Sequence, residues 1–167
     1  VAGLLHDLGK LIWLRFFPEE LHAIAAVAEQ NCLTPLEAEL ALTGTTHARL
    51  GRMVARHWHL PETYQEVIGG HHDASPGSRD ALLCGVVQVA DTLAHVLELG
   101  GPALSRVPSP PRETWEALRL SPEQTPELLD TTLAEFQQAL EEFPLFPGDA
   151  RSAAREPNAV AAAPGPS

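Results

Sequence analysis

Six polar residues of this 167-residue chain have metal-binding side chains and lie on predicted helices or at helix ends. They are His6, Asp7, His47, His71, His72 and Asp91. Both aspartates lie among Leu, Ile, Val and Ala, where a carboxylate is costly unless a positive partner neutralises it. Imidazole and carboxylate ligands together suit Fe, Mn, Zn or Mg, so one interpretation of the set is a site for a divalent metal ion.

The same residues also admit a structural interpretation. Lys10 shares a helical face with Asp7 at i, i+3 and would neutralise it without a metal. A single buried histidine, or Asp91, can be satisfied by one hydrogen bond in a core. Two metal ions bridged by one aspartate would instead stabilise the attacking and leaving oxygens of a phosphodiester. The residues alone leave both interpretations open.

The remaining histidines, tryptophans and cysteines have ordinary interpretations. We assign no site role to four histidines on or near amphipathic helices, His22, His57, His59 and His95. Three tryptophans at helical spacing among aliphatic residues are expected to anchor the core or an interface, namely Trp13, Trp58 and Trp115. Two cysteines without CxxC spacing are predicted to be reduced core thiols, Cys32 and Cys84.

The composition limits the classes of partner. A net charge of −11, spread along the chain, is the opposite of what binding to phosphates requires, so we expect no general nucleic-acid binding. No apolar stretch reaches membrane-spanning length and no signal peptide is visible, so we expect a cytoplasmic protein with no membrane contact. Because Val1 opens directly into a helical pattern, we interpret the chain as a fragment that lacks upstream helices.

Hydrophobic periodicity predicts an all-α fold, because no segment alternates with the period of a strand. The predicted helices span residues 2–16, 19–31, 35–43, 46–59, 62–72, 79–98, 113–119 and 126–143. The first is apolar nearly all round, which is typical of a helix buried in a bundle. Thr34 and Glu37 form a capping box, and Gly44 ends the helix that follows it. Ser78 is predicted to cap the helix over 79–98, and Gly100-Gly101 to end it.

The stripe of the helix over 46–59 that carries His47 is predicted to face the core. It also contains Gly51, Val54 and Trp58, and Gly51 would allow another helix to approach closely.

The domain organisation follows from the helices and the composition. Residues 1–99 form the helical core, 100–112 a Pro- and Gly-rich linker, 113–146 helices that pack on the core, and 147–167 a disordered tail.

Several motifs in this order resemble a known family. The stretch from Gly3 to Lys10 resembles the HDxGK signature of the HD superfamily. The segment from Glu39 through His47 to Pro61, followed by the pair His71-His72 and later by Val89-Ala90-Asp91, resembles the HDOD family in particular. The resemblance covers residues 1–143. It implies an HD-superfamily helical bundle of bacterial signalling proteins, often beside receiver, cyclic-nucleotide or GGDEF modules.

The resemblance implies a regulatory, protein-interaction module without catalysis, whose partner is a protein or an adjacent signalling domain. The alternative is a metal-dependent phosphohydrolase, related to the HD-GYP phosphodiesterases, in which the six residues bind metal and Lys10 holds a substrate phosphate. In that group an acidic residue and a GYP segment follow the histidine pair. Here residues 73–78 follow it without a GYP, which argues against hydrolysis of a cyclic dinucleotide. The first ligand of HD enzymes would precede Val1, so we expect less than one tightly bound metal ion per chain.

Overall fold

A computed structural model describes residues 1–73, 79–99, 104 and 106–142 of the chain. Every regular element in these ranges is helical, and no strand occurs among them, so the predicted all-α fold is confirmed. The helices are α1 (Ala2–Leu5), α2 (Leu8–Phe16), α3 (Pro18–Asn31), α4 (Pro35–Thr43), α5 (His47–His57), α6 (Glu62–Gly70), α7 (Ala81–Val96), α8 (Arg112–Ala117) and α9 (Thr125–Glu142), with a 3₁₀ turn at Pro122–Gln124.

The chain divides into two compact units. The first, Val1–Leu129, contains α1 to α8 and the start of α9, and the described part of the second, Asp130–Ser167, is the remainder of α9. No helix of the described residues is long and apolar enough to cross a membrane. The predicted cap at Ser78, the predicted helix end at Gly100-Gly101 and the predicted disordered tail lie outside the described residues.

Local sequence determines where α4 begins and ends. Glu37 donates its amide to the hydroxyl of Thr34, and its carboxylate accepts from the amide of Thr34 at 2.8 Å. This is the predicted capping box. Gly44 ends the helix in the left-handed region, with φ at 71°, where a residue without Cβ pays no steric cost.

The helix predicted over 2–16 is divided at His6 and Asp7 into α1 and α2. The Nδ1 atom of His6 lies 2.6 Å from the carbonyl oxygen of Gly3. In an unbroken helix that carbonyl would accept from the amide of residue 7, so the side chain takes the place of a backbone bond. The break places both residues at the junction of two short helices.

Helices α2 and α5 cross with their backbones in contact. A Cβ added at Gly9 would lie 1.9 Å from the carbonyl oxygen of His47. A Cβ at Gly51 would lie 2.8 Å from Ile68 and 3.0 Å from the amide of Gly9. The close approach expected at Gly51 is therefore present. It brings the start of α5, with His47, against the start of α2, beside Asp7.

Three predictions of burial are wrong for the described chain. The first predicted helix is not buried all round, because Leu4, Leu11 and Leu14 are 86%, 60% and 61% exposed. Trp58, the C-cap of α5, is 56% exposed although its amide still bonds to the carbonyl of Val54, so the end of the predicted stripe lies outside the core. Cys32 is exposed at the C-cap of α3, whereas Cys84 is buried as expected.

Helix α8 lies against α7. The methyl group of Thr114 would be 3.1 Å from a Cβ at Gly85, and the hydroxyl of Thr114 donates to the side chain of Gln88 at 3.2 Å. In the segment predicted as a linker, Pro108 accepts a hydrogen bond from Thr92 on α7. The packing of 113–146 on the core as a whole stays a prediction.

Candidate metal centre

His47 begins α5 in a fully enclosed position, with 1% of its surface exposed. Its ring Nδ1 lies 2.8 Å from the carboxylate of Glu39, which is also buried. Because a carboxylate accepts hydrogen bonds, Nδ1 carries the proton and Nε2 presents a lone pair. Glu39 thus orients the ring in the way that second-shell carboxylates orient metal-binding histidines.

His71 follows the last residue of α6 and is 0% exposed. Its Nδ1 donates to the carbonyl oxygen of Ile68 at 3.0 Å, so its Nε2 is also unprotonated. The Nε2 atoms of His47 and His71 lie 3.4 Å apart. Two lone pairs at this separation repel each other, and a metal ion or a proton between them would make the contact attractive.

His72 brings a third imidazole to the same point. Its Nε2 lies 2.9 Å from the Nε2 of His47, and the side chain of Gln88 holds its backbone carbonyl at 3.1 Å. In the metal-free chain His72 is the donor of this contact, because His47 has its proton on the other nitrogen. A metal ion at the three Nε2 atoms would displace that proton.

His6 and Asp7 form the opposite wall of the cluster. The Nε2 of His6 and the Oδ1 of Asp7 are buried atoms without an aligned hydrogen bond among the described residues. The Oδ1 of Asp7 faces the Nε2 of His47 at 3.3 Å and that of His71 at 3.8 Å. Its Oδ2 lies 3.3 Å from the Nε2 of His6. Asp7 therefore faces histidines on both sides.

Lys10 pairs with Asp7 as the i, i+3 spacing indicates. Its Nζ lies 2.6 Å from Oδ2 of Asp7, and both side chains are about one-third exposed, at 35% and 30%. This contact neutralises the aspartate at the edge of the cluster. The ion pair and the histidine cluster are thus present together, and the two interpretations of Asp7 do not exclude each other.

Asp91 lies on α7, beyond His6. Its Oδ1 is 3.5 Å from the Nε2 of His6 and 3.5 Å from the Nε2 of His95, one turn later on the same helix. The structure therefore brings all six predicted residues into one connected cluster, and it adds His95, for which we expected no role. The i, i+4 spacing of Asp91 and His95 was the available signal.

Burial and the charges within the cluster give its histidines different pKa values, and so different protonation states at neutral pH. Burial and the neighbouring imidazoles of His47 and His6 lower the pKa of His71 to about 4. Burial, His71 and His47 lower the pKa of His72 to about 2. At neutral pH both rings are therefore uncharged, which is the form that binds a metal ion.

On the other side of the cluster the pKa of a histidine, His6, is raised instead of lowered. Burial disfavours a charged His6, but the carboxylates of Asp7 and Asp91 outweigh it and raise its pKa to about 10. His6, followed by Lys10, in turn holds the pKa of Asp7 well below its usual range despite burial. In the metal-free chain the His6 imidazolium is thus the cation between two aspartates.

Two overlapping groups have ligand atoms close enough to share one ion each. They are His47 with His71 and His72, and His6 with Asp7 and His71, all within 4.8 Å of one another in each group. The converging lone pairs and the orphaned oxygen of Asp7 fit a divalent cation. Imidazoles with a carboxylate favour a transition metal over Mg, which prefers oxygen ligands.

Sequence reasoning did not assign a role to Glu39 or Gln88. Glu39 appeared only as part of a family pattern, and its partner lies eight residues away across the Gly44 turn. A buried glutamate between alanine and leucine in a short helix was a signal that it has a specific partner. Gln88 lies on the apolar α7 and connects His72 to Thr114, which no periodicity reveals.

The fold and the cluster define a helical domain in which histidine and aspartate side chains converge at the junction of its helices. Residues 1–74 match the model of the HDOD domain family, which confirms the predicted resemblance for that part of the chain. An HDOD domain protein with unknown function from Geobacter sulfurreducens has a similar structure, with a TM-score of 0.71 and 25% identity. The match covers 87% of this chain and 53% of that one.

A curated relative extends the comparison. An uncharacterized protein from Treponema pallidum (strain Nichols) is 29% identical over 73 residues. These residues are 44% of this chain and 14% of the relative. The chain therefore spans a small part of one similar protein and about half of the other.

Proposed function

We propose that this chain is a regulatory, protein-contacting module of a cytoplasmic signalling protein, in which an exchangeable divalent metal ion fixes the helices. The observation that carries the proposal is the convergence of Nε2 atoms. His47 and His71 use Nδ1 for outer hydrogen bonds, so their lone pairs point at each other 3.4 Å apart, beside an unsatisfied oxygen of Asp7.

The ligands would come from separate elements. His47 belongs to α5, His71 and His72 follow α6, His6 and Asp7 lie between α1 and α2, and Asp91 is on α7. A metal ion would replace the repulsion between lone pairs with attraction to one centre. Because it binds the folded chain and not the dispersed ligands, its binding free energy would add to the free energy of unfolding.

Two features support regulation over turnover. Lys10, the residue that would hold a substrate phosphate, is already bonded to Asp7 at 2.6 Å. Leu4, Leu11 and Leu14 expose a row of aliphatic side chains along α1 and α2, and exposed apolar patches commonly contact partners. The partner would be a protein or an adjacent signalling domain.

Thermal melts test the proposal. Added Mn²⁺, Fe²⁺ or Zn²⁺ is expected to raise the melting temperature of the wild type by several degrees, and not that of His47→Ala. His22→Ala, at an exposed histidine, is the matched control and should respond like the wild type. The metal-loaded chain should not hydrolyse bis(4-nitrophenyl) phosphate. Equal response of all three proteins would overturn the metal site, and turnover would overturn the regulatory role.

One observation favours a metal-dependent phosphohydrolase as the second candidate. Asp7 presents Oδ1 to His47 and Oδ2 to His6, the arrangement that a carboxylate shared by two ions requires. Bound ions would stabilise charge on the attacking and leaving oxygens. Lys10 would then leave Asp7 for the substrate phosphate. Turnover by the wild type with Mn²⁺ or Fe²⁺, lost in Asp7→Asn and weakened in KM by Lys10→Ala, would establish this candidate.

A further inference from the structure

The outward face of α5 is basic, although the chain as a whole is strongly acidic. Arg49, Arg52 and Arg56 are exposed and, at spacings of three and four residues, lie on one side of the helix. Met53 lies among them with 66% of its surface exposed. Arg52 pairs with Glu66, whereas no carboxylate of the described residues pairs with Arg49 or Arg56.

This composition is typical of a protein contact. Arginine and methionine are both enriched in interfaces relative to other surfaces. Arg49 and Arg56 are seven residues apart, which is about 10 Å along a helix. A fitting partner therefore offers carboxylates at the same separation and an apolar surface to cover Met53.

Helix α9 has the complementary pattern. It contains no Lys, Arg or His, and its five carboxylates are exposed, at Glu127, Asp130, Glu135, Glu141 and Glu142. Glu135 and Glu142 are seven residues apart, as Arg49 and Arg56 are. Glu127, Glu135 and Glu142 lie on the side of α9 opposite the stripe of Leu129, Leu133 and Leu140. Leu128, seven residues before Glu135, lies on the same side as these carboxylates.

We propose that α5 of one chain binds α9 of a second copy, with Arg49 and Arg56 paired to Glu135 and Glu142. A polyanion such as single-stranded nucleic acid is the less favoured occupant. Met53, 66% exposed among the arginines, favours a protein surface over an array of phosphates, because methionine is enriched in protein interfaces. The inference does not depend on the metal centre.

Sedimentation velocity of the full chain at about 0.02 M and about 0.5 M salt tests the pairing. The Debye length falls from roughly 20 Å to roughly 4 Å over this range. We expect dimers or larger species at low salt and monomers at high salt. A chain that stays monomeric at low salt up to its solubility limit, or that associates more strongly at high salt, would contradict the proposal.

Charge-swap variants identify the surfaces. Arg49→Glu with Arg56→Glu, and separately Glu135→Arg with Glu142→Arg, should each weaken self-association about tenfold or more. An equimolar mixture of the two double variants should associate again. Far-UV circular dichroism melts verify that each double variant is folded. In any that is not, the same two positions are changed to Gln instead, which removes the charges without reversing them.

The control double variant is Arg15→Glu with Arg119→Glu. Both arginines are exposed, and the net charge changes by as much as in the double variant of Arg49 and Arg56. It should associate like the wild type. Loss of association in this control would show that net charge and not the α5–α9 pairing is responsible. A mixture that stays monomeric would show that the two surfaces do not pair. Binding of a single-stranded oligonucleotide without self-association would assign the surface to a polyanion and overturn the inference.

Discussion

Glu39 accepts hydrogen bonds from both the backbone amide and the ring Nδ1 of His47, at 2.7 and 2.8 Å. The two residues are 2% and 1% exposed, so water does not compete for either bond. The pair joins α4 to the first residue of α5 across the turn at Gly44. Together with the N-cap Thr46, whose hydroxyl accepts from the amide of Arg49, it holds the start of α5 in place. It also orients His47 so that Nε2 faces the cluster.

Glu39→Gln tests this double contact. The amide group would place a donor against one of the two N–H groups of His47, so one hydrogen bond is lost inside the core. We expect the free energy of unfolding to fall by about 1–3 kcal/mol in urea denaturation with a chelator present. Zn²⁺ affinity, measured by titration calorimetry, should fall about 10- to 100-fold because the ring is no longer held.

The matched control for this variant is Glu29→Gln on the exposed side of α3. It should leave both quantities unchanged. Unaltered Zn²⁺ affinity in Glu39→Gln would mean that His47 does not depend on Glu39 for its orientation.

Gly9→Ala is expected to disrupt the crossing of α2 and α5. The added methyl group would overlap the carbonyl oxygen of His47, which is backbone and cannot move aside without displacing α5. We expect a loss of about 3 kcal/mol or more in the free energy of unfolding. Gly3→Ala meets nothing within 4 Å and should be neutral or slightly stabilising. Similar urea midpoints for the two variants would contradict the close crossing.

Asp91→Ala separates a structural role from a metal-binding one. In the metal-free chain the carboxylate faces both His6 and His95, so its removal takes the acceptor from His95 and one of two neighbouring carboxylates from the His6 imidazolium. We expect metal-free stability to fall by about 1–3 kcal/mol. Thermal melts of the variant and wild type, with and without Mn²⁺, measure this. A metal-free variant as stable as wild type, with metal stabilisation abolished, would show that repulsion between carboxylates dominates instead.

The two cysteines should differ in reactivity. Burial, followed by the carboxylates of Asp80 and Glu66, raises the pKa of the Cys84 thiol, so the reactive thiolate is scarce at neutral pH. Cys32 is exposed. Iodoacetamide at pH 8 should therefore add one group per native chain, at Cys32, and a second only in denaturant, as mass spectrometry would show. Equal modification of both cysteines in the native chain would contradict the packing of α7 against α6.

The sequence predicts the helices well because their determinants are local. Thr34, Glu37 and Gly44 set the ends of α4 through contacts within a few residues, and period alone separates helix from strand. The break at His6 depends on a bond from its own side chain to Gly3, which periodicity does not register. Trp58 continues the stripe of His47 and Gly51 but is exposed at the C-cap of α5, and periodicity does not register how far along a helix its neighbours extend.

The candidate site likewise contains residues that the local sequence identifies and residues that only the tertiary fold identifies. Side-chain type and apolar context are sufficient to identify the six residues that the fold brings together. Glu39 and Gln88 act through tertiary contacts, one across a turn and one between helices. Such partners are fixed by the fold, so they were not predicted. The i, i+4 spacing of Asp91 and His95 is visible in the sequence, so their contact could have been predicted but was missed.

The protonation of the histidine rings is the most direct test of the central claim, that His47 and His71 present free Nε2 atoms at which a metal ion would bind together with His72. Long-range ¹H–¹⁵N NMR of the metal-free chain should find His47 and His71 protonated at Nδ1. One equivalent of Zn²⁺ should then shift the Nε2 resonances of His47, His71 and His72 and leave those of His22, His57 and His59 in place. A proton on Nε2 of His47 in the metal-free chain, or shifts confined to the exposed histidines, would contradict the account.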